Sequence, residues 1–176
     1  CARLGAIFVP FNIRQRRPEI DYALRDSGAL LLIHEASLAA ELPDRARLPA
    51  MAAYYAVDGE TPGSLPYDAL LAPAAAAAVA VAEEDIFCIL YTSGTTGRPK
   101  GAMLTHLGTV HSVLHYTRHF GLGADERGVL AVPASHVTGL VAIILPMLML
   151  GGRVVILRGF KAARFLEIAA REGMTY

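Results

Sequence analysis

Apolar residues fall in short runs punctuated by Pro, Gly and polar clusters, and these runs alternate with segments of helical period. Residues 6–9 predict a short buried strand stopped by Pro10, whose ring fixes φ and removes a donor. Pro18 opens a helix predicted over 19–27, with acidic residues in its first turn, Ile20, Ala23 and Leu24 facing inward, and Gly28 ending it. Residues 29–33 are the next expected strand, 36–42 a short helix closed by Pro43, and 51–57 a third strand. A turn-rich connection over 58–66 leads into a short helix reaching residue 71. Strands are then expected at 86–91, 101–105, 127–132 and 154–157, helices at 106–120, 139–150 and 161–172, and the start of another strand at 174–176. In the last helix Phe165, Leu166, Ile168 and Ala169 form the expected inner stripe. Strands alternating with helices predict an α/β fold, a largely parallel β-sheet flanked by helices on both faces.

Composition narrows this picture. Sixteen basic and sixteen acidic residues among 176 cancel, so no nucleic-acid surface is expected. Charged residues make up only 18%, below the usual quarter, and apolar ones 54%. That is more apolar surface than such a length normally hides, the signature of a piece of a larger protein and a reason to expect self-association. Residues 73–82 are almost pure alanine and valine, a variable linker or helical insertion without polar groups for a ligand. Glu83, Glu84 and Asp85 mark a solvated turn beyond it. Cys1 and Cys88 form no disulfide framework or CxxC site, which fits a reducing cytoplasm. The apolar stretch 139–150 contains Pro146 and falls short of the roughly 18 residues of a spanning helix, so a buried helix rather than a transmembrane segment is expected.

The chemistry concentrates at the end of the 86–91 run. There the chain continues Thr92-Ser93-Gly94-Thr95-Thr96-Gly97-Arg98-Pro99-Lys100-Gly101. The glycines let the backbone approach a ligand, the hydroxyls and successive N–H groups offer an anion nest, and Lys100 adds a cation on a flexible stem. The combination suits a polyphosphate. It is not a Walker A loop, which requires Gly-Lys-Ser/Thr opening a helix, because Lys100 here leads into a predicted strand. A ligand-free hydroxyl-rich surface loop is the plain alternative.

Two histidine features follow. His111, His115 and His119 recur every fourth residue on one helix face, but no Cys, carboxylate or His-Glu-x-x-His pattern accompanies them. Solvated helix histidines are expected there, and no metal site. His136 lies in Pro133-Ala134-Ser135-His136-Val137-Thr138-Gly139, just past a predicted strand end, where ligands sit in open α/β sheets. Taken alone, such a histidine is a helix cap or a core residue.

The segment from Leu90 to Gly101 closely resembles the signature loop of the adenylate-forming (AMP-binding) superfamily, which includes acyl- and aryl-CoA ligases, luciferases and peptide-synthetase adenylation domains. The stretch from Arg3 to Asn12, followed by a helix ending Asp26-Ser27-Gly28, resembles an early block of the same superfamily, and Pro-x-x-His-x-x-Gly resembles a later one. Peptide synthetases usually carry Asp where Asn12 stands and an aromatic residue where His136 stands, so the resemblance favours the CoA-ligase branch.

It implies a parent enzyme that activates a small carboxylic acid with ATP and Mg2+ and passes the acyl group to coenzyme A. Thr92, Ser93, Gly94, Thr95, Thr96, Gly97 and Lys100 would hold the ATP phosphates, and His136 would lie beside the carboxylate as the catalytic candidate. It further implies an incomplete N-terminal AMP-binding domain over 1–176, with early βα units in 1–72, the Ala-rich linker in 73–85 and the loop-bearing units in 86–176. The family's adenine- and ribose-binding blocks, its magnesium-binding Glu and its catalytic Lys have no counterpart in this stretch. A peptide-synthetase-type domain, a phosphate-binding module without turnover and a scaffold fragment are the competing readings.

Overall fold

The computed structural model describes residues 1–71, 78–92 and 98–176. Their contacts divide the chain into two compact units, Cys1–Ala80 with Tyr91–Ala102 and Val81–Leu90 with Met103–Tyr176. The fold is α/β with parallel strand pairing.

In the first unit, helix α1 (Arg17–Ser27) precedes strands β1 (Leu31–Glu35), β2 (Ala53–Val57) and β3 (Leu65–Pro66). Pro18 sits in the first turn of α1, and the Glu19 carboxylate accepts the Arg16 N–H at 2.8 Å, satisfying a donor the helix start would otherwise orphan. Gly28 closes the helix at φ 64°, the left-handed cap that glycine adopts without a Cβ penalty. The three strands run parallel in the order β1-β2-β3. Ile20 and Leu24 of α1 pack with Leu32, Leu48, Met51 and Tyr54 into the core of this unit. Alternation decides which residues take part: Leu32 and His34 are buried, while Leu31 and Ile33 on the opposite face are about half exposed at 51% and 52%. The Leu31 and Ile33 side of this three-stranded sheet is about half exposed.

The strand expected at 6–9 does not form. Residues 2–4 make a single 3-10 turn and only Phe8 makes a bridge, because a short run ending in Pro10 has no further donor to build a ladder. The helix expected from Ser64 starts later, as a 3-10 turn over Tyr67–Leu71 after β3. Part of the alanine-rich stretch lies outside the described residues, and its end, 78–82, has no regular structure.

Strands β4 (Ile86–Thr92) and β5 (Lys100–Thr105) pair with each other, and the division between the units crosses both. In the second unit β5 runs directly into helix α2 (His106–His119), and Thr105 caps it by accepting the Gly108 N–H at 3.1 Å. The acidic turn at 83–85 is exposed, as expected. It also holds the helix start, because the Asp85 and Glu83 carbonyls accept the first two helical N–H groups, from His106 and Leu107.

Strands β6 (Arg127–Leu130) and β7 (Arg153–Ile156) pair in parallel. Between them the chain winds as a π-helix over Thr138–Ile144 and continues into α3 (Leu145–Leu150). Pro146 does not break this winding; it sits in the first turn of α3. In an α-helix the Ala142 carbonyl would accept from residue 146, which as proline has no N–H. The Tyr176 hydroxyl donates to the Ala142 oxygen at 2.8 Å and gives that acceptor a partner.

Helix α4 (Ala162–Glu172) turns Phe165, Ile168 and Ala169 inward. Leu166, expected with them, is 65% exposed, because one residue past Phe165 is a rotation of about 100° off the stripe. Residues 174–176 form no strand, although the N–H groups of Thr175 and Tyr176 both donate to the Arg127 carbonyl.

Candidate active site

The hydroxyl- and glycine-rich segment is held between two paired strands. Thr92 ends β4 and Lys100 begins β5, both exposed, with Arg98 exposed and Pro99 partly buried before Lys100. Ser93, Gly94, Thr95, Thr96 and Gly97 lie outside the described residues. A strand, not a helix, follows the segment, as its Lys-Gly exit predicts; α2 starts only at His106.

Behind Thr92 the strand is tied to α1. The Tyr91 hydroxyl donates to Asp26 Oδ2 at 2.7 Å and lies 3.4 Å from the Ala23 carbonyl, while its ring meets Tyr22 edge-on at 6.4 Å between centroids. Burial, and then the Asp26 carboxylate beside it, push the Tyr91 phenol well above its ordinary range. Tyr91 lies in the Leu90–Gly101 segment and Asp26 in the early block that carry the family resemblance, but neither is among the site residues that the sequence names.

His136 occupies the turn after β6, exposed, one residue before the helical winding begins. Its N–H donates to the Pro133 carbonyl at 3.1 Å, and the Leu140 N–H donates to its own carbonyl at 3.0 Å. The Thr138 N–H points at His136 Nδ1 from 3.2 Å, and Thr138 Oγ1 lies 3.1 Å from the same nitrogen. A backbone N–H can only donate, so Nδ1 is the acceptor and the neutral ring carries its proton on Nε2. The spacing to Gly139 has a steric cause: a Cβ there would sit 2.4 Å from the Pro133 oxygen. The Pro-x-x-His-x-x-Gly pattern is thus one folded turn that presents a histidine Nε2–H donor. Thr92 and Lys100 belong to the first unit and His136 to the second.

His111, His115 and His119 lie exposed along α2, with the first two rings edge-on at 6.3 Å. Among the described residues no group of three His, Cys, Asp or Glu side chains gathers closely enough to hold a metal ion.

The model of the family described as AMP-binding enzyme matches residues 1–176. The chain belongs to that family. It is 35% identical over 178 aligned residues to a feruloyl-CoA synthase from Amycolatopsis sp, covering 99% of this chain and 33% of that protein. Among solved structures, ATP-bound MatB from Rhodopseudomonas palustris superposes with a TM-score of 0.80 at 30% identity, over 97% of this chain and 34% of the other. The anthranilate CoA ligase AuaEII, in complex with anthranoyl-AMP, superposes with a TM-score of 0.84 at 27% identity, over 96% of this chain and 34% of the other. This AMP-binding chain therefore spans about a third of the length of the relatives it matches. Among its described residues no helix is long and apolar enough to cross a membrane.

Proposed function

We propose that this AMP-binding chain is the N-terminal part of a cytoplasmic acyl-CoA ligase, which joins a carboxylic acid to AMP with release of pyrophosphate and then transfers the acyl group to coenzyme A. The observation that carries the reading is that β4 ends at Thr92 and its paired strand β5 begins at Lys100, with the hydroxyl- and glycine-rich sequence between them. Family membership over the whole chain supports it.

In this reading Thr92, Ser93, Gly94, Thr95, Thr96, Gly97 and Lys100 hold the β- and γ-phosphates of ATP. Their hydroxyl and N–H donors and the Lys100 ammonium stabilise the negative charge that gathers on the departing pyrophosphate. In the same reading His136 offers its Nε2–H to the acid's carboxylate. Magnesium bound to the ATP phosphates would supply charge neutralisation there, and among the described residues no group of three His, Cys, Asp or Glu would hold it. Because the feruloyl- and anthranilate-activating relatives take aromatic acids, aromatic carboxylic acids are the first substrates to assay.

The test is ATP–pyrophosphate exchange in the full-length protein. Lys100→Ala is expected to lower exchange on the order of a hundredfold, the scale of losing one preorganised charge-stabilising donor. His136→Ala should raise KM for the acid more than KM for ATP. Unchanged exchange in Lys100→Ala would remove the phosphate-loop assignment. ATP binding without exchange would favour the second reading, a nucleotide-binding module without turnover.

A further inference from the structure

We propose that Tyr91 is a positioning residue that sets where the phosphate loop leaves β4, acting through Asp26 at the end of α1; this rests on the ligase reading above. Tyr91 is the last residue before Thr92, and strand side chains alternate, so fixing the Tyr91 ring on one face fixes the direction of Thr92 on the other. The anchor is firm. Ala23 and Leu24 on the same turn of α1 are 0% and 2% exposed, and Gly28 closes the helix with its N–H on the Leu24 and Arg25 carbonyls.

Asp26 is otherwise badly placed. A carboxylate in the last turn of a helix faces the negative end of the macrodipole. The neighbouring Arg25 guanidinium goes to Asp21 at 2.8 Å, and the Tyr91 hydroxyl donates to Asp26 at 2.7 Å. The bond joins residues 65 apart in sequence, both within the first compact unit. A hydrogen bond of this kind holds the end of β4 at Thr92 in place before any phosphate arrives.

The experiment uses the full-length protein, with the dissociation constant for ATP from calorimetry, exchange kinetics at varied carboxylic acid, and a thermal melt for each variant. Tyr91→Phe keeps the ring and deletes the donor; Asp26→Ala deletes the acceptor; Asp26→Asn keeps a carbonyl oxygen that still accepts. ATP binding should weaken roughly three- to tenfold in Tyr91→Phe and in Asp26→Ala, the worth of one ordinary hydrogen bond. The double variant should be no weaker than either single one, Asp26→Asn should stay within about twofold of the unmodified protein, and KM for the acid should not move.

ATP affinity unchanged in Tyr91→Phe would overturn the proposal. So would multiplying effects in the double variant, or a rise in the acid KM in step with the loss of ATP affinity, which would mark general loosening. If the unmodified protein binds ATP but exchanges no pyrophosphate, the ligase reading falls while the Tyr91–Asp26 coupling is still decided by the binding constants. If it binds no ATP, both fall.

Discussion

Cys88 lies in the middle of β4 with none of its surface exposed, and burial pushes its thiol from the ordinary 9.0 up to about 11. The thiolate is therefore penalised in the folded protein relative to the unfolded chain. The stability this contributes is fully present below pH 9 and is lost as pH rises through 11, since the unfolded chain gives up its proton first. The buried phenol of Tyr54 and the partly buried phenols of Tyr91 and Tyr176, also raised, act with the same sign at higher pH. Melting temperature should fall between pH 9 and pH 11, and less steeply in Cys88→Ala, as read by circular dichroism in matched buffers. At pH 8, iodoacetamide should label the exposed Cys1 and spare Cys88 until denaturant is added; the mass of the adduct decides.

At the scale of elements, the turn carrying His136 is the most sterically determined piece of the candidate site. Gly139 tolerates no Cβ because the Pro133 carbonyl occupies that space, and the same carbonyl accepts the His136 N–H. Gly139→Ala should therefore cost about 1–3 kcal/mol by overpacking. Gly123→Ala, where a Cβ meets nothing within 4 Å, should be close to neutral. Urea unfolding of the two variants makes the comparison, and a neutral Gly139→Ala would show that the turn yields. The π-wound segment behind this turn runs into α3, with Pro146 in its first turn.

For the whole molecule, the three-stranded sheet of the first unit has an apolar side in contact with water. Ile33, Tyr55 and Leu65 stand in one row across β1, β2 and β3, and Ile33 and Leu65 are 52% and 49% exposed. A Leu or Ile withheld from a core forgoes about 1.5–3 kcal/mol, so covering such a row is favourable. The 176-residue chain is expected to self-associate at micromolar concentrations, with Ile33→Lys shifting sedimentation toward monomer. A monomer by sedimentation in the unmodified chain would count against it.

The sequence by itself determined the features that local chemistry controls. Pro18 and Gly28 bound α1, the spacing of Ile20, Ala23 and Leu24 names its buried face, and the exit through Lys100 into an apolar run specifies a strand and excludes a Walker A loop. Each depends on φ preference or periodicity within a few residues. Tertiary structure decided what depends on partners distant in the chain. The 6–9 run is as apolar as a strand, yet without neighbouring donors it makes only the Phe8 bridge. Leu166 is as apolar as Ile168, but the register of α4 against its neighbours leaves it in water. The Tyr91–Asp26 bond closes a 65-residue separation that no local pattern encodes. The His136 tautomer depends on where the turn aims the Thr138 N–H, because a ring nitrogen's role is set by the group it meets in space.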